Sequence, residues 1–146
     1  MMFEESVTKA ILVWLKETGW TVLDYDFPGG GTGRKFHMGG ASSSKTKDIW
    51  IPDIVAVKNG AFLLFENKRV DTLSDYAKIR DVSRNPRLVS ELSAAYPQED
   101  VKTISFGIGF SGPARYADRI PESGANLVVA VGNDSSVQVL YKDCVE

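Results

Sequence analysis

Apolar positions recur at helical spacing from Phe3 to Lys16, at Phe3, Val7, Ala10, Ile11, Trp14 and Leu15, and Gly19 follows where a helix would stop. This predicts a first helix, with Trp14 and then Trp20 in the core. From Trp20 to Phe27 apolar and polar residues mix in the manner of a strand, and Pro28 ends it. Ile51 to Val57 and Ala61 to Glu66 are two apolar runs separated by Asn59 and Gly60, the pair favoured in a two-residue type I′ turn, which predicts a β-hairpin. The run Ala61 to Phe65 is apolar throughout, as a strand buried on both faces would be. Tyr76, Ile79, Val82, Leu88, Leu92 and Ala95 continue at mostly helical spacing across 74–95, with Pro86 dividing or kinking the segment. Val101 to Phe110, Asn126 to Val131 and Val137 to Tyr141 read as three further strands, the last two joined through Gly132, Asn133 and Asp134. The predicted order is αβββαβ followed by more strand.

Between the first strand and the hairpin, residues 28–48 contain Pro28 and six glycines with no periodic apolar pattern, and the expectation there is a long, flexible, basic loop. One reading is a solvated linker. The other is a DNA-contacting arm in which Arg34, Lys35, Lys45 and Lys47 meet phosphates, with His37 as an ordinary polar loop residue. Lys78, Arg80, Arg84 and Arg87 offer a second basic surface, or simply a solvated one.

Composition narrows the class without deciding it. The 146 residues fit one domain spanning 1–146, and 43% hydrophobic with 25% charged residues is ordinary for a globular protein. Cys144 is the only cysteine, so an internal disulfide is excluded and no cysteine and histidine set exists to hold a structural zinc. No basic leader and no apolar run near the roughly 18 residues needed to span a bilayer is present, so no membrane partner is expected and the cytoplasm fits best. A net charge of -2 argues against a protein that coats nucleic acid through bulk charge.

The hairpin carries the candidate chemistry. With Asn59 and Gly60 as the turn, Lys58 faces Ala61 and, counting back along both strands, Asp53 faces Glu66. Directly opposed side chains lie about 5 Å apart at Cβ, so two carboxylates are forced together unless a cation lies between them. Lys68, two residues beyond Glu66, points to the same face, whereas Asn67 points to the other. Hard oxygen ligands of this kind suit Mg²⁺ and phosphodiester hydrolysis, with Lys68 orienting or deprotonating the attacking water. A surface salt-bridge cluster is the competing reading.

Pro52-Asp53 followed by Glu66-Asn67-Lys68 resembles the signature of the PD-(D/E)XK, or restriction-endonuclease-like, nuclease superfamily. Its members place these residues on the second and third strands of an αβββαβ core. The resemblance covers roughly residues 3–110 in element order but only three or four positions in identity. It implies an α/β fold with a central mixed sheet flanked by helices, and a DNA endonuclease using Mg²⁺, with Mn²⁺ as substitute. In the superfamily a glutamate on the first helix often completes the metal site. On a helical wheel Glu4 shares the arc of Val7, Ile11 and Leu15, and Glu5 lies nearly opposite. Glu4 is the better candidate, although an acid near a helix N-terminus is also favourable through the helix dipole alone. A compact stand-alone chain resembles either a type II restriction endonuclease or a Holliday-junction resolvase, both acting as homodimers, and the mild acidity favours the former. A different class of reading is a non-catalytic nucleic-acid-binding module that keeps the fold without the activity.

Overall fold

The computed structural model describes residues 3–27, 30–39, 49–143 and 145. Helix α1 spans Glu4–Glu17 and buries Val7, Ile11 and Leu15 completely, the stripe that the helical periodicity defines. It ends where Gly19 takes a positive φ and Trp20 turns the chain into strand β1, Thr21–Phe27. A two-residue strand β2, Gly30–Gly31, pairs with the end of β1, and β3, Phe36–His37, pairs with β4, Ile49–Trp50. The hairpin follows as β5, Ile54–Lys58, and β6, Ala61–Asn67. Its register runs from Lys58↔Ala61 to Ile54↔Phe65, and Asn59 and Gly60 adopt φ of 53° and 83°, the pair of positive values a type I′ turn demands. Helices α2, Leu73–Ser83, and α3, Leu88–Ala95, are separated around Pro86. Strand β7, Thr103–Ser111, is followed by a 3₁₀ turn at Ala117–Arg119 and a short α4, Ile120–Ser123, before β8, Leu127–Val131, and β9, Val137–Lys142.

Seven strands form one mixed sheet in the order β2-β1-β5-β6-β7-β8-β9. Its first half is antiparallel, β7 and β8 run parallel to β6, and β9 returns antiparallel along β8. The alternation of side chains sorts the core into two layers. Ile54, Ala56, Leu63 and Phe65 pack with Val7, Ile11 and Leu15 of α1 on one face. On the other, Val55, Val57, Phe62 and Leu64 pack with Tyr76 and Ile79 of α2 and Leu92 of α3. The protein is therefore a mixed α/β sheet with helices on both faces, and its principal elements follow the expected order. Among the described residues no helix is long and apolar enough to cross a membrane.

Part of the basic loop expected at 28–48 packs where it is described. Phe36 and Met38 are buried against the α2–α3 layer, the His37 N–H donates to Glu91 Oε1 at 2.6 Å, and Asn85 Nδ2 donates to the Met38 carbonyl at 3.0 Å. Residues 36–39 form a packed flap, since Phe36 and Met38, two apart, turn to the same side and have apolar surface to bury, while 30–35 stay largely exposed. Lys45, Lys47 and Cys144 lie outside the described residues.

Candidate functional site at the open end of the hairpin

Strand β6 is buried along almost its whole length, and its alternation places Glu66 on the α2 side, only 3% exposed. A carboxylate so enclosed needs partners. Trp50 Nε1–H donates to Glu66 Oε1, and Lys78 Nζ, from α2, lies 3.4 Å from the same oxygen. The next residue, Asn67, points to the opposite face as expected, where its Nδ2 donates to Thr8 Oγ1 of α1 at 3.2 Å. Gly109 on β7 makes room for it, because a Cβ there would collide with the Asn67 amide oxygen and with Ile11.

Asp53 departs from the simple register. The paired ladder stops at Ile54↔Phe65, and residue 53 sits in a bend whose N–H donates to the Phe65 carbonyl at 2.9 Å. Asp53 Oδ2 accepts the Asn67 N–H at 2.7 Å. The direct opposition of Asp53 and Glu66 read from the turn is thus corrected: two facing carboxylates repel, and a backbone N–H one residue on gives Asp53 a donor instead. The two acids remain close enough to affect each other. Burial, reinforced by the charge of Glu66 and then of Glu4, pushes the Asp53 carboxyl from an ordinary 3.8 up to about 8, against the opposing pull of the Asn67 amide and Lys68. Burial likewise raises the Glu66 carboxyl, with Lys78 and Trp50 acting the other way.

Lys68 Nζ lies 3.9 Å from Glu4 Oε1, at the N-terminal end of α1. Glu5 turns away and pairs with Lys9 at 3.4 Å, so the helical-wheel distinction between the two glutamates matches their placement. Partial burial would lower the Lys68 ammonium, but the charges of Glu4, Asp75, Glu66 and Asp53 outweigh it and raise it. Asp75 is a residue the motif did not contain. It sits in the first turn of α2, 3% exposed, accepts a hydrogen bond from Thr72 Oγ1 at 2.9 Å, and is itself raised by burial. Four acids and two lysines from α1, the hairpin and α2 therefore share one end of the sheet. Among the described residues no three of the acids converge as a ready-made metal cluster, since Glu4 reaches the others across Lys68 and Glu66 is held by Lys78.

A cleft of about 590 Å³ opens beside these groups, between β3–β4 and α2, with Trp50 and Lys78 in its wall. Lys78 thus belongs with Glu66, whereas Arg80, Arg84 and Arg87 are exposed. Arg34 is held elsewhere: its Nε lies 3.6 Å from Asp24 and its guanidinium 5.4 Å over the Tyr96 ring, whose hydroxyl donates to Asp24. Lys35 is exposed. Of the residues missed from sequence, Asp75 carried a signal in Thr72-x-x-Asp75, the spacing of a helix-start acid, and Trp50 stood two residues before Pro52. No protein-family model matches the chain, and no curated protein matches it in sequence.

Proposed function

We propose that this chain is a metal-dependent endonuclease with a restriction-endonuclease-like core, hydrolysing DNA phosphodiester bonds. The observation that carries the reading is the approach of two acids, buried Glu66 and half-buried Asp53, at the open end of the hairpin, with Lys68 beside them and the Asp53 carboxyl pushed up to about 8. Burial is the main cause that raises both acids, a cost that a bound cation would offset, and an oxygen-only donor set favours a hard divalent one such as Mg²⁺ or Mn²⁺. Asp53 and Glu66 would hold it, with Glu4 and Asp75 adding negative charge from the two flanking helices. When bound, the ion supplies an acidified water and neutralises charge on the phosphate oxygens. Lys68, with its raised affinity for the proton, stays an ammonium at neutral pH and positions water or a phosphate oxygen by donating hydrogen bonds. The cleft bounded by Trp50 and Lys78 admits the substrate strand, with Lys78 a cation beside it.

Within this class, a homodimeric type II restriction endonuclease is favoured over a Holliday-junction resolvase, because a chain of net charge -2 is ill suited to gripping a four-way junction through phosphates. One feature favours a non-catalytic nucleic-acid-binding module instead: Lys78 and Trp50 already share the Glu66 oxygen that a metal would use. Incubation with plasmid and with a synthetic four-way junction, each in Mg²⁺ or EDTA, separates the readings. Discrete Mg²⁺-dependent plasmid fragments are expected, symmetric junction nicking would indicate a resolvase, and binding without cleavage of either would leave the non-catalytic module.

A further inference from the structure

Past the acids, the carboxyl ends of the parallel strands β6, β7 and β8 open onto a second cavity, of about 530 Å³. Crevices outside the carboxyl ends of parallel strands are where open α/β sheets receive ligands. Arg69, Arg115, Asn133, Ser136 and Gln138 bring cationic and polar groups to a wall that also contains Val70 and Val131. Neither arginine makes an ion pair with an acid among the described residues.

Both arginines are nevertheless fixed at their backbones. The Ser111 N–H donates to the Arg69 carbonyl at 3.1 Å, which carries the β6–β7 pairing past Lys68. Asp71, 2% exposed, accepts the N–H groups of Arg115 and Tyr116 at 2.6 and 2.9 Å. One oxygen of this buried carboxylate, Oδ2, is thus committed to shaping the loop that carries Arg115. Asp134, next to the wall residues Asn133 and Ser136, accepts both the N–H and the hydroxyl of Ser136 and so closes its own turn. Two exposed arginines therefore line one cavity while the acids nearest their loops bind backbone or serine, an arrangement that an anion completes. The planar fork of arginine matches phosphate in particular. The position also suits a shared substrate, since Arg69 directly follows Lys68 in the chain, just beyond the end of β6.

We propose that this cavity is a phosphate-binding subsite, in which Arg69 and Arg115 grip a phosphate of the same nucleic-acid strand whose neighbouring phosphate lies at Asp53 and Glu66. The identity of the strand rests on the nuclease reading; the phosphate chemistry of the cavity does not. That phosphate is either internal or a terminal 5′-phosphomonoester.

The test uses the full chain in EDTA, so that nothing is cut. Binding of a labelled duplex oligonucleotide with and without a 5′-phosphate is followed by anisotropy for the wild type and for Arg69→Gln/Arg115→Gln, whose thermal unfolding is checked to match. The double substitution is expected to weaken binding about tenfold or more and to lower the salt dependence by about one to two charges. A gain from the 5′-phosphate that disappears in the variant assigns the terminal group, and equal binding of both duplexes assigns an internal one. Inorganic phosphate, titrated by NMR, is expected to shift the Gly112, Arg115 and Asn133 amides in the wild type alone. Such a response in a protein that cuts no DNA upholds the cavity and discards the nuclease. If the double variant matches the wild type towards duplex and inorganic phosphate alike, the subsite is overturned, even for an enzyme that cuts.

Discussion

The two ends of the β5–β6 hairpin obey different rules. At the turn, the backbone follows local geometry: positive φ at Asn59 and Gly60, Lys58 squarely opposite Ala61, and the Lys58 ammonium resting on Trp20 and donating to the Thr18 carbonyl at 3.0 Å. At the open end the ladder gives way one residue before the acids could face each other, and Asp53 takes its hydrogen bond from Asn67. The same strands are regular where side chains ask for nothing else and bend where two carboxylates are crowded into a buried corner. Departures from local regularity collect where a protein trades stability for chemistry. The difference between the ends should therefore appear in both stability and activity.

The largest expected effect lies at the open end. Asp53→Ala and Lys68→Ala should each lower cleavage by about a thousandfold or more, roughly 4 kcal/mol of barrier, with circular dichroism unchanged; full activity in both variants would remove the site from consideration. Next, Mg²⁺ at about 100 times its dissociation constant should stabilise the wild type by about 2.7 kcal/mol in a thermal melt, and Asp53→Asn should abolish the gain. An equal gain in that variant would place the ion elsewhere.

The pH dependence in EDTA is the third contrast. Asp53 is an acid whose folded pKa, about 8, lies above its ordinary 3.8, so between these values the folded protein holds a proton that the unfolded chain has lost. Stability from this group is complete below pH 3.8 and is lost as pH rises towards about 8. Asp53→Asn should flatten that decline and raise the apo melting temperature in mild alkali by a few degrees, about 1–2 kcal/mol. Parallel melting curves against pH for the two proteins would contradict this assignment of the crowding. At the turn end, Gly60→Ala should cost about 1–2 kcal/mol, because φ is +83° and a Cβ would lie 2.8 Å from the Asp100 carbonyl oxygen. Cleavage per folded molecule should not change; if it falls, the two ends are coupled. The smallest effects divide the neighbouring glutamates. Glu4→Gln should reduce cleavage about tenfold, while Glu5→Gln, which loses only an exposed i,i+4 pair with Lys9, should cost under about 0.5 kcal/mol and no activity.

Sequence reading succeeded where a feature is decided within a few residues. The α1 stripe, the Asn59-Gly60 turn and the break at Pro86 are of this kind. It failed where a partner distant in sequence decides. Gly30 and Gly31 have no side chains to alternate and become strand only by pairing with Asp26 and Phe27. Phe36 is one buried aromatic in a stretch of turn residues, and its packing against Tyr96 comes from folding the flap over α3. Asp75, Lys78 and Trp50 reach the acids only when α2 and β4 dock. The Asp53 register was extended one pair too far because strand geometry contains no charge repulsion.

The chain positions of the site groups also bear on the order of assembly. Asp53 and Glu66 flank a hairpin with a two-residue loop, an element of short range that forms in about 1–10 μs in small systems. Glu4 and Asp75 join only when α1 and α2 dock, and β6 gains its parallel neighbour β7 only after the chain has passed through both α2 and α3. Long-range pairing of that kind is the slow part of folding. A nascent or partly folded chain is therefore expected to bring the two central acids near each other before the flanking charges arrive, and the divalent ion proposed for them would meet the hairpin first. Refolding rates measured with and without Mg²⁺ would register that head start.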